Sequence, residues 1–153
     1  MLKLNLPLAA GAVLAALSFS ITAAADEKAF TWTHDDPRLE WGPCPDYFPD
    51  GCGFATLQGN PERPNADIFL RLAPNSEVPL HWHTSAERMI LVSGEFVVDY
   101  DGRDPVVMRP GTYAYGPAGL PHTAECRDQG PCILFIAFEE PVDAIAGRPH
   151  DHE

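Results

Sequence analysis

IFLRLAPNSEVPLHWHTSAERMILVSGEFVVDYDG, running from Ile68 to Gly102, is the stretch whose reading decides the fold. Its apolar runs are short, Asp67–Leu72, Val78–His83, Glu87–Ser93 and Glu95–Tyr100, and turn signals separate them, the last being the hairpin dipeptide Asp101-Gly102. Such runs fit strands and are too short and too often broken for helices. The same texture continues downstream through Val106–Met108, Thr112–Tyr115, His122–Cys126 and Ile133–Phe138, with Pro110-Gly111 as another turn. About eight short strands so spaced predict an all-β chain closed into a barrel or a two-sheet sandwich. No segment after residue 25 keeps a capped 3.6-residue period.

Composition agrees. The 153 residues are one domain's worth, 45% of them are apolar, and 16 Pro and 12 Gly suit many short strands and turns. Upstream, Asp26 to Asn65 reads as an irregular arm, with Trp32, Trp41, Tyr47 and Phe48 among prolines and glycines and a short strand at Phe54–Leu57. The expected organisation is therefore 1–25 leader, 26–65 arm, 66–140 barrel and 141–153 polar tail, the tail opening with a short turn or helix. A net charge of −12 repels phosphate backbones and anionic membrane surfaces, so nucleic acid is set aside as a partner.

The first 25 residues have one charge, Lys3, then an apolar run and the triplet Ala23-Ala24-Ala25 before Asp26. This is the layout of a cleaved secretory signal, predicting a periplasmic or secreted protein with no membrane attachment after cleavage. The competing reading is an uncleaved anchor over the charge-free stretch Leu4–Ala25. Export gives the four cysteines an oxidising compartment, where an even count suggests disulfides. Three pairings exist, and the simplest joins Cys44 to Cys52 and Cys126 to Cys132, the second closing what looks like a hairpin loop. A zinc site is the alternative, although no C-x-x-C unit is present.

His81-Trp82-His83 ends a strand run, and the period of two puts both imidazoles on one face. Glu87 follows a three-residue turn, where hairpin pairing would bring its carboxylate alongside them. His122 opens a later strand after Pro117-Ala118-Gly119-Leu120-Pro121. Three imidazoles and one carboxylate suit one divalent Fe, Mn, Ni, Cu or Zn ion with coordination positions left open. Met89, sharing the face of Glu87, and Tyr113 and Tyr115, sharing a face near His122, are candidates for a substrate pocket. Arg71 and Arg88 are assigned to the surface and His34 to no role. A second His-x-His, His150-Asp151-His152, has no scaffold around it.

The spacing resembles the cupin family. Its first motif is Gly, five residues, His-x-His, three or four residues, Glu, six residues and Gly, matched here by Asn75, His81, His83, Glu87 and Gly94. Its second is Gly, five residues, Pro-x-Gly, two residues, His, three residues and Asn, matched by Gly111, Pro117, Gly119, His122 and Cys126. Asn75 stands for the first Gly and Cys126 for the final Asn. The short interval Glu95–Pro110 resembles that of small single-domain bacterial members. The resemblance implies a conserved β-barrel, or double-stranded jelly roll, that holds a metal through His81, His83, Glu87 and His122. It also implies a small-molecule ligand and allows a homodimer paired through sheet edges. In such a barrel Glu87 is the ligand able to loosen and act as a base, and the activity expected is a dioxygenase-type oxidoreductase. The alternative is a non-enzymatic metal- or ligand-binding or sensing module.

Overall fold

A computed structural model describes residues 28–149. Residues 28–31 belong to a separate unit and have no regular secondary structure, and the fold begins at Trp32. The expected leader, residues 1–25, and His150-Asp151-His152 lie outside the described residues.

Among the described residues, eleven strands build two antiparallel sheets. The first sheet contains β1 (Trp41–Pro43), β2 (Gly53–Gln58), β3 (Ala66–Leu72), β10 (Cys132–Phe138), β5 (Glu87–Ser93) and β8 (Tyr113–Gly116), in that spatial order. The second contains β11 (Ile145–Ala146), β4 (Ser76–Trp82), β9 (His122–Cys126), β6 (Phe96–Tyr100) and β7 (Val106–Met108). No α-helix occurs among the described residues. All eight strands read from the sequence form, each within a few residues of its expected limits. The segment 26–65 adds β1 and β2 to the first sheet, and the tail adds β11, a strand where a short turn or helix was expected.

Alternation places the core. Ile68, Leu72, Met89, Leu91, Leu134 and Ile136 from the first sheet meet Val78, Phe96, Val98, Met108 and Ala124 from the second. A second cluster lies on the outer face of the first sheet, where Phe69 and Ile133 pack with Leu39 and Ala55 and with the half-buried Trp32 and Trp41. Residues 32–39 of the arm are thus a cover for the β1–β2–β3–β10 half of that sheet, and burying Leu39 and the Trp32 ring holds them there. Arg71 stacks over the Trp41 ring at 4.4 Å.

Two connections taken for hairpins are crossings between sheets. β4 and β5 lie in different sheets, and Thr84-Ser85-Ala86 carries the chain across. Ser85, 1% exposed, knots this crossing: its hydroxyl donates to Ala86 O and accepts from the amides of Glu139 and Glu140. Residues 127–131 likewise pass from β9 in one sheet to β10 in the other. The disulfide Cys126–Cys132 therefore ties the two sheets together instead of closing a hairpin, and Cys44–Cys52 closes the loop before β2. Asn75 has the left-handed φ of 58° that the family's glycine would take. At Gly94, φ is 86° and an added Cβ would meet Pro131 O at 2.9 Å, so glycine is required where β5 turns into β6.

One irregularity sets the site. β4 pairs with β9 in a register that joins Val78 to Ala124 and His81 to His122, with a shift between them at Pro79-Leu80. Plain alternation from Val78 would turn His81 outward. The bulge inserts one residue, so Val78, His81 and His83 all face the interior, and Pro79, which has no N–H to give a ladder, sits at the bulge.

The Cys126–Cys132 tie closes a loop of separation 6, which the chain-entropy account values at about 2 kcal/mol. Urea denaturation of the Cys126→Ser/Cys132→Ser double variant should show that loss with a native circular dichroism spectrum. An unchanged midpoint would remove the disulfide from the stabilising interactions.

Candidate metal centre

His81 and His83 come from β4 and its end, His122 opens β9, and Glu87 opens β5 on the facing sheet. Glu87 thus meets the histidines across the barrel interior and does not lie beside them in a hairpin. All four are buried, at 4%, 8%, 4% and 3% exposure in chain order of His81, His83, His122 and then Glu87. One ring nitrogen from each histidine falls within 4.8 Å of the others. The His81 and His122 ring centroids are 4.1 Å apart. Glu87 Oε2 lies 3.6 Å from His83 Nε2, and Oε1 lies 3.5 Å from His122 Nε2.

Each imidazole has its Nδ1 against a backbone carbonyl: His81 on Pro79 O at 2.8 Å, His122 on Leu120 O at 3.1 Å, and His83 on Asp143 O. A neutral ring donating from Nδ1 leaves the Nε2 lone pair free. Burial, followed by the charges of His122 and His83, pushes His81 down to about 3. Burial also lowers His122, against the pull of Glu87. His81 and His122 are therefore neutral at ordinary pH, and their lone pairs face a carboxylate whose Oε1 is buried without any hydrogen-bond partner.

Acceptors facing acceptors in an apolar interior need a cation between them. Ligand atoms about 2.1 Å from one ion lie about 3.0–3.4 Å from each other, close to the 3.5 and 3.6 Å found here, so the donor set fits a divalent transition metal.

The site forms one end of a cavity of about 160 Å³. Its wall is apolar, including Phe48, Phe54, Met89, Val98, Ile136 and Phe138, and its polar residues are His81, His83, Glu87, His122 and Asp143. No lysine or arginine is among these lining residues. Met89 lines the cavity as its parity with Glu87 predicts. Tyr113 and Tyr115 are a correction: they are 56% and 52% exposed and absent from the wall, because the β5–β8 register sets Ala114 against Met89 and turns both tyrosines outward. Arg88 pairs with Glu139 at the surface.

Four contributors were not among the candidate site residues read from the sequence. Phe48, in the loop closed by Cys44–Cys52, packs its ring edge-on to His81 with centroids 5.3 Å apart. Asp143 comes from the supposed free tail. Tyr100 pairs with His122 in register, has a buried hydroxyl without a partner, and is raised above the usual phenol range by burial and by the Glu87 charge. Gly116 lies opposite Glu87, and a Cβ there would fall 2.8 Å from Glu87 Oε1 and 3.1 Å from Tyr100 Cε1. Only Tyr100 had a signal, its parity with Phe96 and Val98.

Comparison with known proteins bears on the fold. A cupin domain model matches residues 68–138. Oxalate decarboxylase OxdC of Bacillus subtilis is 32% identical over 75 residues, covering 46% of this chain. The chain spans only 20% of that protein's length. Among solved structures, the DMSP lyase DddQ of Ruegeria pomeroyi superposes with a TM-score of 0.62 at 18% identity, over 71% of this chain and 60% of that one. An RmlC-like cupin from Shewanella frigidimarina superposes at 0.59 with 22% identity, over 76% of this chain and 93% of that one. These likenesses show the fold, a cupin barrel.

The low His81 value carries a pH dependence. Between about 6.5 and about 3 the unfolded chain binds a proton that native His81 refuses, so stability is full above that interval and is lost as pH falls through it. His122 acts in the same direction. Thermal unfolding of metal-free protein should show a loss on the order of a few kcal/mol across that range, reduced in His81→Phe. A flat profile would mean that His81 is not buried neutral.

Proposed function

We propose that this cupin barrel holds one divalent transition metal ion through His81, His83, Glu87 and His122 and acts as a dioxygenase-type oxidoreductase on a small organic substrate. The observation that carries this reading is the set of imidazole nitrogens facing an unpartnered carboxylate oxygen in an otherwise apolar cavity.

A redox-active ion, when bound, supplies Lewis acidity and one-electron chemistry. The residues of the chain do the rest. The three imidazoles are held with Nε2 unprotonated by backbone carbonyls. Glu87 faces the cavity, and its Oε1 is placed to accept the proton of an enolic or phenolic oxygen entering there. The apolar wall excludes water and keeps the effective dielectric low, which strengthens that transfer. Incorporation of both atoms of O2 draws its electrons from the substrate, so the reaction needs no site for a separate reductant.

The relatives named above include an oxalate decarboxylase and a DMSP lyase, and both names are those of enzymes, which supports a catalytic role for the barrel. Oxalate itself suits this cavity poorly: a dianion would enter a wall with no lysine or arginine. A substrate with an apolar body and one oxygen-bearing end matches the lining better. The two disulfides are consistent with an oxidising extracytoplasmic compartment, and they support the reading of an exported protein.

The test is O2 consumption by protein reconstituted with Fe, Mn, Ni or Cu against phenols, diketones and oxo-acids. Glu87→Gln should retain metal and lose on the order of 10²-fold or more in turnover. Tight ligand binding without turnover under every metal would assign the barrel to the non-enzymatic binding modules instead.

A further inference from the structure

The three site histidines do not obtain their Nδ1 acceptors in the same way. His81 and His122 each use the carbonyl two residues earlier in their own segment, Pro79 O and Leu120 O. Their orientation is built into the local backbone. His83 uses Asp143 O, 60 residues away, because it lies just past the end of β4 as the chain begins to cross between sheets.

That carbonyl is held by Asp143's own side chain. The Asp143 carboxylate accepts from Thr84 N at 3.0 Å and from Thr84 Oγ1 at 2.6 Å, gripping the residue next to His83. Its Oδ1 is also 3.9 Å from His83 Nδ1. The segment around it is laced to the same strand: Ile145 and Ala146 pair with Trp82 and His81, and Gly147 N donates to Leu80 O at 2.9 Å. Val142 N donates to Pro61 O at 2.8 Å on the other side.

We infer that Asp143 is a positioning residue for the metal centre: its carboxylate clamps Thr84 so that its carbonyl fixes His83 in the Nδ1–H tautomer with Nε2 turned to the site. Without that acceptor a neutral imidazole is free to carry its proton on Nε2, a form that cannot ligate, and the ring is free to turn. Neither consequence reaches His81 or His122. The effect is thus specific to one ligand out of three, which a general loss of stability would not be.

The tautomer arm of the test is independent of the proposed metal function, and the affinity arm rests on it. In metal-free protein at about pH 8, where imidazole is neutral, imidazole ¹⁵N NMR should show all three rings as Nδ1–H. In Asp143→Ala, His83 alone should become a tautomer mixture, and Asp143→Asn, whose Oδ1 can accept from Thr84 N while its Nδ2 donates to Thr84 Oγ1, keeps both bonds of the clamp and should restore the single form. Chelator competition should show the dissociation constant for Zn²⁺ rising about 10–100-fold in Asp143→Ala and recovering in Asp143→Asn. If Asp143→Ala does not fold, Thr84→Val removes one bond of the clamp and should give the same His83-only change. A His83 ring that stays wholly Nδ1–H in the folded variants overturns the inference. Wild-type protein that binds no metal, with His83 still shifting tautomer, would sink the proposed function and leave the positioning role standing.

Discussion

Lone pairs held face to face in an apolar interior are the constraint around which this molecule is arranged. A ring nitrogen from each of three histidines converges with a carboxylate, and burial keeps His81 and His122 from carrying the extra proton that would relieve it. Such a cluster persists only if each ring is anchored from behind. The carbonyls of Pro79, Leu120 and Asp143 do that. It also needs space for the carboxylate, which Gly116 provides by having no side chain. The surrounding apolar wall excludes the water that would otherwise relieve the repulsion.

The cluster belongs to neither sheet alone. Its histidines stand on one sheet and Glu87 on the other, so the distance between sheets also sets the distance between the imidazoles and the carboxylate. That spacing is fixed at the crossings: Ser85 ties Thr84-Ser85-Ala86 to Glu139 and Glu140, and Cys126–Cys132 bonds the end of β9 to the start of β10. A disulfide within a hairpin would have stiffened one strand pair. Between sheets it limits how far the barrel can open.

Segments on either side of residues 68–138 complete the cavity that the barrel begins. The loop closed by Cys44–Cys52 sets Phe48 against His81, and the segment 142–144 forms another part of the wall. Both lie outside the stretch 68–138 that the cupin domain model matches. The four converging residues therefore lie within the matched stretch, while part of the cavity lining comes from segments outside it. Specificity for a substrate would be written there.

The sequence by itself determined the all-β class, the eight strands from β3 to β10 and the identity of the converging residues, because alternation, turn dipeptides and the His-x-His spacing are local properties carried by neighbouring residues. It also made the two local cysteine pairings the simplest choice. Tertiary structure decided where the strands go. Whether Thr84-Ser85-Ala86 makes a hairpin or a crossing depends on which strand each edge finds, and three residues permit either. The bulge at Pro79-Leu80 is likewise invisible in alternation, since only the pairing of His81 with His122 reveals the extra residue. Tyr113 and Tyr115 point outward because β5 offers Met89 to Ala114, a register that their own sequence does not contain. Asp143 reaches His83 across 60 residues, and no local pattern encodes a contact whose two halves meet only when the barrel has closed.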